Sequence, residues 1–343
     1  MGLVDVNGIA AVARQRGAPL VVEEIELDAP RDDEIVVQMV ACGVCHTDAK
    51  AREGYGGIRL PVVLGHEGAG IILEVGRAVK TLVPGDRVLL VSDYCGRCTS
   101  CRAGDSAYCE ERPLRTFGAV RLDGSTRARA GGVAIRAALF GQSSFATHAL
   151  ASERSALKVG AGANLRLLAA TTCGMVTGAS AVLKVLQVAP GTRLAVLGTG
   201  TVGLAAVMAA VAAGAEMIVA VDRHVRRLAL ARRLGATDTL DTAAVTDLAT
   251  ALRERTVGCD AILDTSGFGR LQRAGVEAFA VHGTLGIVGG GDGDGVPLSL
   301  LMGRGKTVRG IVQRDAPAHS ESPTGPRCRS PVRQVIGWCR CKI

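Results

Sequence analysis

Arg193-Leu-Ala-Val-Leu-Gly-Thr-Gly-Thr-Val-Gly203 is the stretch on which the fold turns. Its first five residues are nearly all apolar, as a strand buried on both faces requires. Gly198-Thr199-Gly200-Thr201-Val202-Gly203 then fits G-x-G-x-x-G and opens an apolar helix. In that setting the first glycine makes the turn, the second admits a pyrophosphate, and the third lets helix and strand pack closely. Free backbone N–H groups and the helix dipole favour the phosphates. The next strand ends at Asp222, nineteen residues past Gly203. A carboxylate there accepts the adenosine ribose hydroxyls and repels a 2′-phosphate, which favours NAD over NADP. Arg223 beside it pulls the other way.

Outward from this unit the chain alternates strands and helices. HVRRLALARRLG (224–235) reads as a helix and AILDTS (261–266) as a strand. A helix near QRAGVEAFA (272–280) and a strand in GTLGIVGG (283–290) follow. Such alternation predicts a parallel sheet wound on both faces by helices. Residues 1–155 read differently, as short strands with Gly or Pro borders, among them LVVEEIEL (20–27), EIVVQMVAC (34–42), GAGIILEVG (68–76) and DRVLLVS (86–92). The expectation is a β-rich domain over 1–155 and a doubly wound α/β domain over 156–299, an α/β protein of about two domains.

DYCGRCTSCRAGDSAYCEE (93–111) sets Cys95, Cys98, Cys101 and Cys109 on one tight loop. Four thiolates at these gaps can surround one ion, and a closed sulfur tetrahedron suits structural zinc. Iron–sulfur runs place the fourth cysteine closer and follow it with proline, whereas Glu110 follows here. The 343 residues include 11 cysteines and no secretory signal segment opens them, so reduced thiols, metal and a cytoplasmic setting are expected. The apolar run Leu194–Val221 is broken by Gly198, Gly200, Gly203, Gly214 and Glu216, and reads as strand, helix and strand rather than a membrane span. The net charge of +8 does not indicate nucleic acid. Arg223, Arg226, Arg227, Arg232 and Arg233 read as a solvated helix face opposite Leu228, Ala231 and Leu234, with no stacking aromatics between them.

Three further segments complete the pattern: Cys-Gly-Val-Cys-His-Thr-Asp (42–48), Gly-His-Glu-Gly-Ala-Gly (65–70) and Thr-Thr-Cys-Gly (171–174). Together with the cysteine loop, the glycine turn and Asp222, they resemble the zinc-dependent medium-chain alcohol dehydrogenases over about residues 10–312. FGQSSFATHAL (140–150) and CGMVTGASAVL (173–183) are similar to the aryl-alcohol and geraniol dehydrogenase branch. The resemblance implies a GroES-like catalytic domain, to which residues 300–343 return, and a Rossmann NAD-binding domain. It implies Cys45, His66 and Cys173 as ligands of a catalytic zinc, and Cys95, Cys98, Cys101 and Cys109 as ligands of a second, structural zinc. Thr47 would bind the substrate hydroxyl and begin a proton relay, Asp48 would orient His66, and Glu67 would lie behind the metal. His46 would lie near the cofactor pyrophosphate, with Val202 and Thr177 against the nicotinamide. Two thiolates and a neutral imidazole leave zinc a fourth position for an alcohol oxygen. The implied reaction is hydride transfer from a primary aryl or allylic alcohol to NAD, in a homodimer or homotetramer. Glutathione-linked formaldehyde oxidation shares the zinc layout, and an impaired relative binding zinc and NAD is the third reading.

Two departures stand out. Relatives carry a histidine three residues after the relay hydroxyl, where this chain has Lys50, which can relay a proton only if its pKa is depressed. After about residue 313 the pattern ends. Residues 314–343 gain Pro, Ser and Cys328, Cys339 and Cys341, and hold Arg314, Arg327, Arg329, Arg333, Arg340 and Lys342 against Asp315 and Glu321. The abrupt change points to an altered reading frame or a degenerated segment, with loss of the helix that closes the catalytic domain in relatives. Resequencing the gene tests this.

Overall fold

The computed structural model describes residues 6–291 and 296–312. The atypical segment after residue 313 lies outside the described residues. Two compact units divide between Cys173 and Gly174. The first contains β1 (Val6–Ala13), β2 (Val21–Leu27), β3 (Glu34–Cys42), β4 (Val62–Val63), β5 (Gly68–Val75), β6 (Arg87–Leu90), β7 (Ala128–Ala130), β8 (Val133–Ile135), β9 (His148–Ser152) and β10 (Ala156–Lys158). They form two antiparallel sheets of five strands, β4-β1-β2-β7-β8 and β10-β6-β5-β3-β9. The division falls later than residue 155 because β10 pairs with β6, Ala156 opposite Leu90, and so belongs to the first unit.

The packing explains the mixed alternation of β3. Val36 faces a core shared with Val12, Ile25, Val63, Ile135 and Leu150, contributed by strands of both sheets. Ile35 and Val37 point the other way, into a core with Ile72, Val88, Leu90 and Ala156. Over Glu34–Val37 the strand is covered on both faces and has no polar side to display, and exposed residues appear from Gln38 on.

Glu34, at the start of β3, is a buried carboxylate that accepts from Arg121 Nε and Nη2 at 3.0 and 2.9 Å and from Arg127 Nε at 3.0 Å. Arg127 also donates from Nη1 to the carbonyls of Gly141 and Leu150, at 2.8 and 2.9 Å. Removing one partner of such a group strands the others without water. Arg127→Met is therefore expected to cost about 3–5 kcal/mol of unfolding free energy in a urea titration.

The second unit carries β11 (Arg193–Leu197), β12 (Met217–Asp222), β13 (Asp238–Asp241), β14 (Cys259–Asp264), β15 (Phe279–Ile287) and β16 (Thr307–Gly310). They form one parallel sheet in the order β13-β12-β11-β14-β15-β16. The order reverses at β11, which puts the glycine turn beside the crevice between β11 and β14 where ligands bind in such sheets. The helix Thr201–Ala213 follows β11 directly, and it packs the small residues Gly203, Ala206 and Ala210 inward. A second helix, Val225–Arg233, buries Leu228 and Ala231. Arg223, Arg226, Arg227, Arg232 and Arg233 are all exposed. The helix expected near 272–280 spans Gly269–Glu277, and Phe279 already begins β15. Among the described residues no single helix is long and apolar enough to cross a membrane.

Candidate active site and metal centres

Cys45 caps the helix His46–Arg52, and Asp48 sits in its first turn. The Asp48 carboxylate is buried and organises three groups. It accepts from Cys45 N at 3.1 Å, from Gly65 N at 3.0 Å and from His66 Nδ1 at 2.9 Å. Gly65 has φ +91°, and a Cβ there would stand 2.4 Å from the backbone nitrogen of Phe145. Glycine is therefore required where the chain turns His66 inward.

Donor atoms of Cys45, His66, Glu67 and Cys173 all lie within 4.8 Å of one another. The sulfurs of Cys45 and Cys173 are 3.9 Å apart. His66 is 2% exposed, and with Nδ1 given to Asp48 its Nε2 is buried with no hydrogen-bond partner. A buried nitrogen left without a partner is costly, and a cation held between it and the two sulfurs removes that cost. Two soft sulfurs and an imidazole fit zinc.

The charges agree. Hydrogen bonding to Cys173, against the cost of burial and with help from His66, pushes the Cys45 thiol down to about 3. Burial opposes charge on His66, but Asp48 and Cys45 outweigh it and hold the imidazole up at about 10. Cys173 is raised, first by sharing a proton with Cys45 and then by burial. Burial, reinforced by the charge on Cys45, lifts Glu67 to about 7. Without metal the cluster holds protons on His66 and Cys173 that a dication displaces, so metal uptake weakens in acid.

Cys95, Cys98, Cys101 and Cys109 form the other cluster. Backbone N–H groups of Cys98, Arg97 and Cys101 donate to sulfurs at 3.3–3.5 Å, and Cys95 N donates to the Cys109 sulfur at 3.3 Å. This is the environment of bound thiolates, and the four sulfurs leave no fifth group to receive a substrate. Arg115 ties the lobe down, donating to Asp93 at 2.6 Å and to Glu111 at 2.9 Å.

Of the relay residues, Thr47 is half-buried with its hydroxyl 3.7 Å from the Cys45 sulfur. His46 is exposed. The Lys50 ammonium stands 5.6 Å over the ring of Tyr55, engaged in a cation–π contact.

In the second unit the three glycines do three jobs. Gly198 takes φ +91°. Gly200 has nothing within 4 Å of where a Cβ would be, so a ligand's phosphates can approach its backbone. At Gly203 a Cβ would lie 1.9 Å from the Gly198 carbonyl oxygen. Gly203→Ala is thus expected to lower stability by about 3 kcal/mol, read as a shifted unfolding transition of this unit. Thr177 is buried on the helix Gly174–Ser180, and its neighbour Gly178 admits the Val202 carbonyl oxygen to 2.1 Å of a Cβ position. The helix thereby passes close to Val202 at Gly174 and Gly178.

Asp222 ends β12 with both oxygens engaged. One accepts from Thr199 N and Oγ1 at 2.7 and 2.8 Å, the other from Arg223 N and His224 N at 2.8 and 3.0 Å. Burial notwithstanding, these donors hold its carboxyl below the usual range. Asp222 therefore braces the glycine turn against β12. The Arg223 side chain lies beside His224, its Nε 3.3 Å from the ring nitrogen.

Residues 139–145 support the first cluster in ways the sequence does not declare. Gln142 accepts from Gly68 N and donates to the His66 carbonyl, each at 3.0 Å, and Ser144 donates to Gln142 at 2.9 Å. Phe140 stacks on the His66 ring with centroids 4.4 Å apart. It does so from φ +54°, a left-handed conformation that costs a non-glycine residue about 1–3 kcal/mol.

The matches to known proteins follow the same division. The family described as Alcohol dehydrogenase GroES-like domain matches residues 31–161, and that described as Zinc-binding dehydrogenase matches residues 201–324. Geraniol dehydrogenase of Castellaniella defragrans is 41% identical over 316 residues, 91% of this chain and 84% of that protein. The crystal structure of an alcohol dehydrogenase zinc-binding domain protein from Burkholderia ambifaria is 40% identical with a TM-score of 0.92, covering 98% of this chain and 90% of that one. Benzyl alcohol dehydrogenase from Acinetobacter calcoaceticus is 34% identical with a TM-score of 0.89 over the same shares. The chain belongs to the zinc-dependent medium-chain alcohol dehydrogenase family. Members of this family bind NAD(P), and the two cysteine-rich clusters fit their zinc sites.

Proposed function

We propose that the protein oxidises primary aryl or allylic alcohols to aldehydes with NAD, using one zinc at Cys45, His66 and Cys173 and a second at Cys95, Cys98, Cys101 and Cys109. The observation that carries the reading is the buried, partnerless His66 Nε2 facing two cysteine sulfurs. The likeness to a geraniol and a benzyl alcohol dehydrogenase supports the substrate class.

When bound, the zinc supplies a Lewis acid that lowers the pKa of an alcohol hydroxyl, and NAD supplies the hydride acceptor. The chain does the rest. Asp48 fixes Cys45 and His66 together. Thr47 Oγ1 would accept the substrate proton as it gives up its own toward solvent, and the Lys50 ammonium rests over the Tyr55 ring. Glu67, its carboxyl lifted to about 7 by burial, lies beside the cluster. The glycine turn would hold the pyrophosphate, Asp222 holds that turn closed and would select the ribose, and Val202 and Thr177 would pack the nicotinamide. Arg223, following the end of β12, would offer the cofactor a cation. Free thiols throughout the described residues suit the cytoplasm, and a homodimer or homotetramer is the proposed assembly.

The test is initial-rate NADH formation with benzyl alcohol and geraniol, with NAD and with NADP, in the absence of glutathione. Turnover with NAD supports the proposal. Turnover only of formaldehyde with glutathione would replace the substrate class, and no turnover of any alcohol would leave a binding relative.

A further inference from the structure

The cores of this chain are built from Ala, Val, Leu and Ile, and it has only five phenylalanines and three tyrosines. Yet Tyr55, Phe117 and Phe140 stand in one file that ends on His66. Tyr55 meets Phe117 edge-on at 6.2 Å and 86°, and Phe117 meets Phe140 edge-on at 5.6 Å and 78°. Phe140 then lies face to face with His66 at 4.4 Å and 26°. Gly56, at φ +72°, leaves room for the Phe117 ring, which would stand 2.8 Å from a Cβ there.

The hydrogen bond from His66 Nδ1 to Asp48 fixes the direction of one nitrogen but leaves the ring free to turn about the bond. A stacked ring removes that freedom. We infer that Phe140 is a positioning residue that sets the plane of the His66 imidazole, so that Nε2 points between the sulfurs of Cys45 and Cys173. The inference rests on the proposed reading of those three residues as a metal centre. Its electronic side agrees with its geometry. The face of a phenyl ring is electron-rich, and an imidazole that gives its lone pair to a cation becomes electron-poor.

The backbone is arranged to hold this ring. Phe140 keeps φ +54° because Arg127 holds the Gly141 carbonyl from one side. On the other, the Ser143 hydroxyl donates to Val63 O at 2.6 Å and accepts from Leu139 N at 2.8 Å. Packing alone would be met by a leucine in a relaxed turn.

The experiment loads the full-length protein with zinc and follows release from each centre into a chromogenic chelator, for wild type, Phe140→Leu, Phe140→Met and Phe140→Tyr. His66→Ala identifies which release phase belongs to the three-residue centre. Phe140→Leu and Phe140→Met are expected to release that zinc about tenfold faster, with the four-cysteine phase unchanged and Phe140→Tyr close to wild type. The visible bands of the cobalt-loaded centre should shift in the same two variants. Equal acceleration of both phases, an unchanged rate in Phe140→Leu, or full rescue by Phe140→Met would overturn the inference. A wild-type protein whose zinc content does not fall in His66→Ala would overturn the metal reading itself, before any Phe140 variant is needed.

Discussion

His66→Ala is expected to remove alcohol oxidation and one of two zincs while the chain stays folded. The side chain meets three parts of its cluster: Asp48 on Nδ1, the two sulfurs toward Nε2, and Phe140 on its face. Alanine keeps the hydrogen bond from the Gln142 side-chain amide to the residue 66 carbonyl, so the loop retains its anchor. Two thiols without the imidazole make a poor site, and the Lewis acid contributes several kcal/mol to such a transition state. At about 1.4 kcal/mol per tenfold, kcat/KM should fall by roughly a thousandfold or more. Cofactor binding should persist, because the glycine turn belongs to the other compact unit. Initial rates and zinc content, measured on the same sample, check both halves.

Cys109→Ser should act on stability rather than on chemistry. Cys109 closes its cluster from eight residues beyond Cys101, and its sulfur accepts from Cys95 N. The short helix Thr99–Arg102 and the turns around it have few apolar side chains to hold them. Structural zinc binding is folding free energy in loops of this kind. Losing a few kcal/mol in a unit of this size should lower the Tm by about 10 °C or more and leave one zinc per chain. Differential scanning calorimetry with metal analysis decides it. Two zincs and an unchanged Tm would remove the bracing role.

The sequence carried the parts of this account that depend on spacing. The glycine turn, the four-cysteine loop, and the order of buried strands and helices around them are local patterns with strong physical constraints. Spacing was silent where stability comes from neighbours. β13 offers only Leu240 to the core, and β16 is mostly exposed at the sheet edge, so neither has a hydrophobic period to read. That β10 belongs to the first unit depends on its finding β6, a pairing of distant segments. The position of Asp222 points to the ribose, and spacing does not show the four internal donors by which it also ties the turn together. Phe140 and Gln142 gave no signal of their roles, because a positive φ and a side chain reaching a carbonyl 76 residues away are properties of the fold. Lys50 stands where relatives carry a histidine, and its contact with the Tyr55 ring is likewise a property of the fold.

The most direct test of the central claim is NADH formation from benzyl alcohol by protein whose zinc content at the two centres has been set beforehand. The rate should rise in proportion to zinc at Cys45, His66 and Cys173 and be indifferent to added glutathione. Protein with both centres filled and no turnover of any alcohol, or full turnover with the three-residue centre empty, would contradict it.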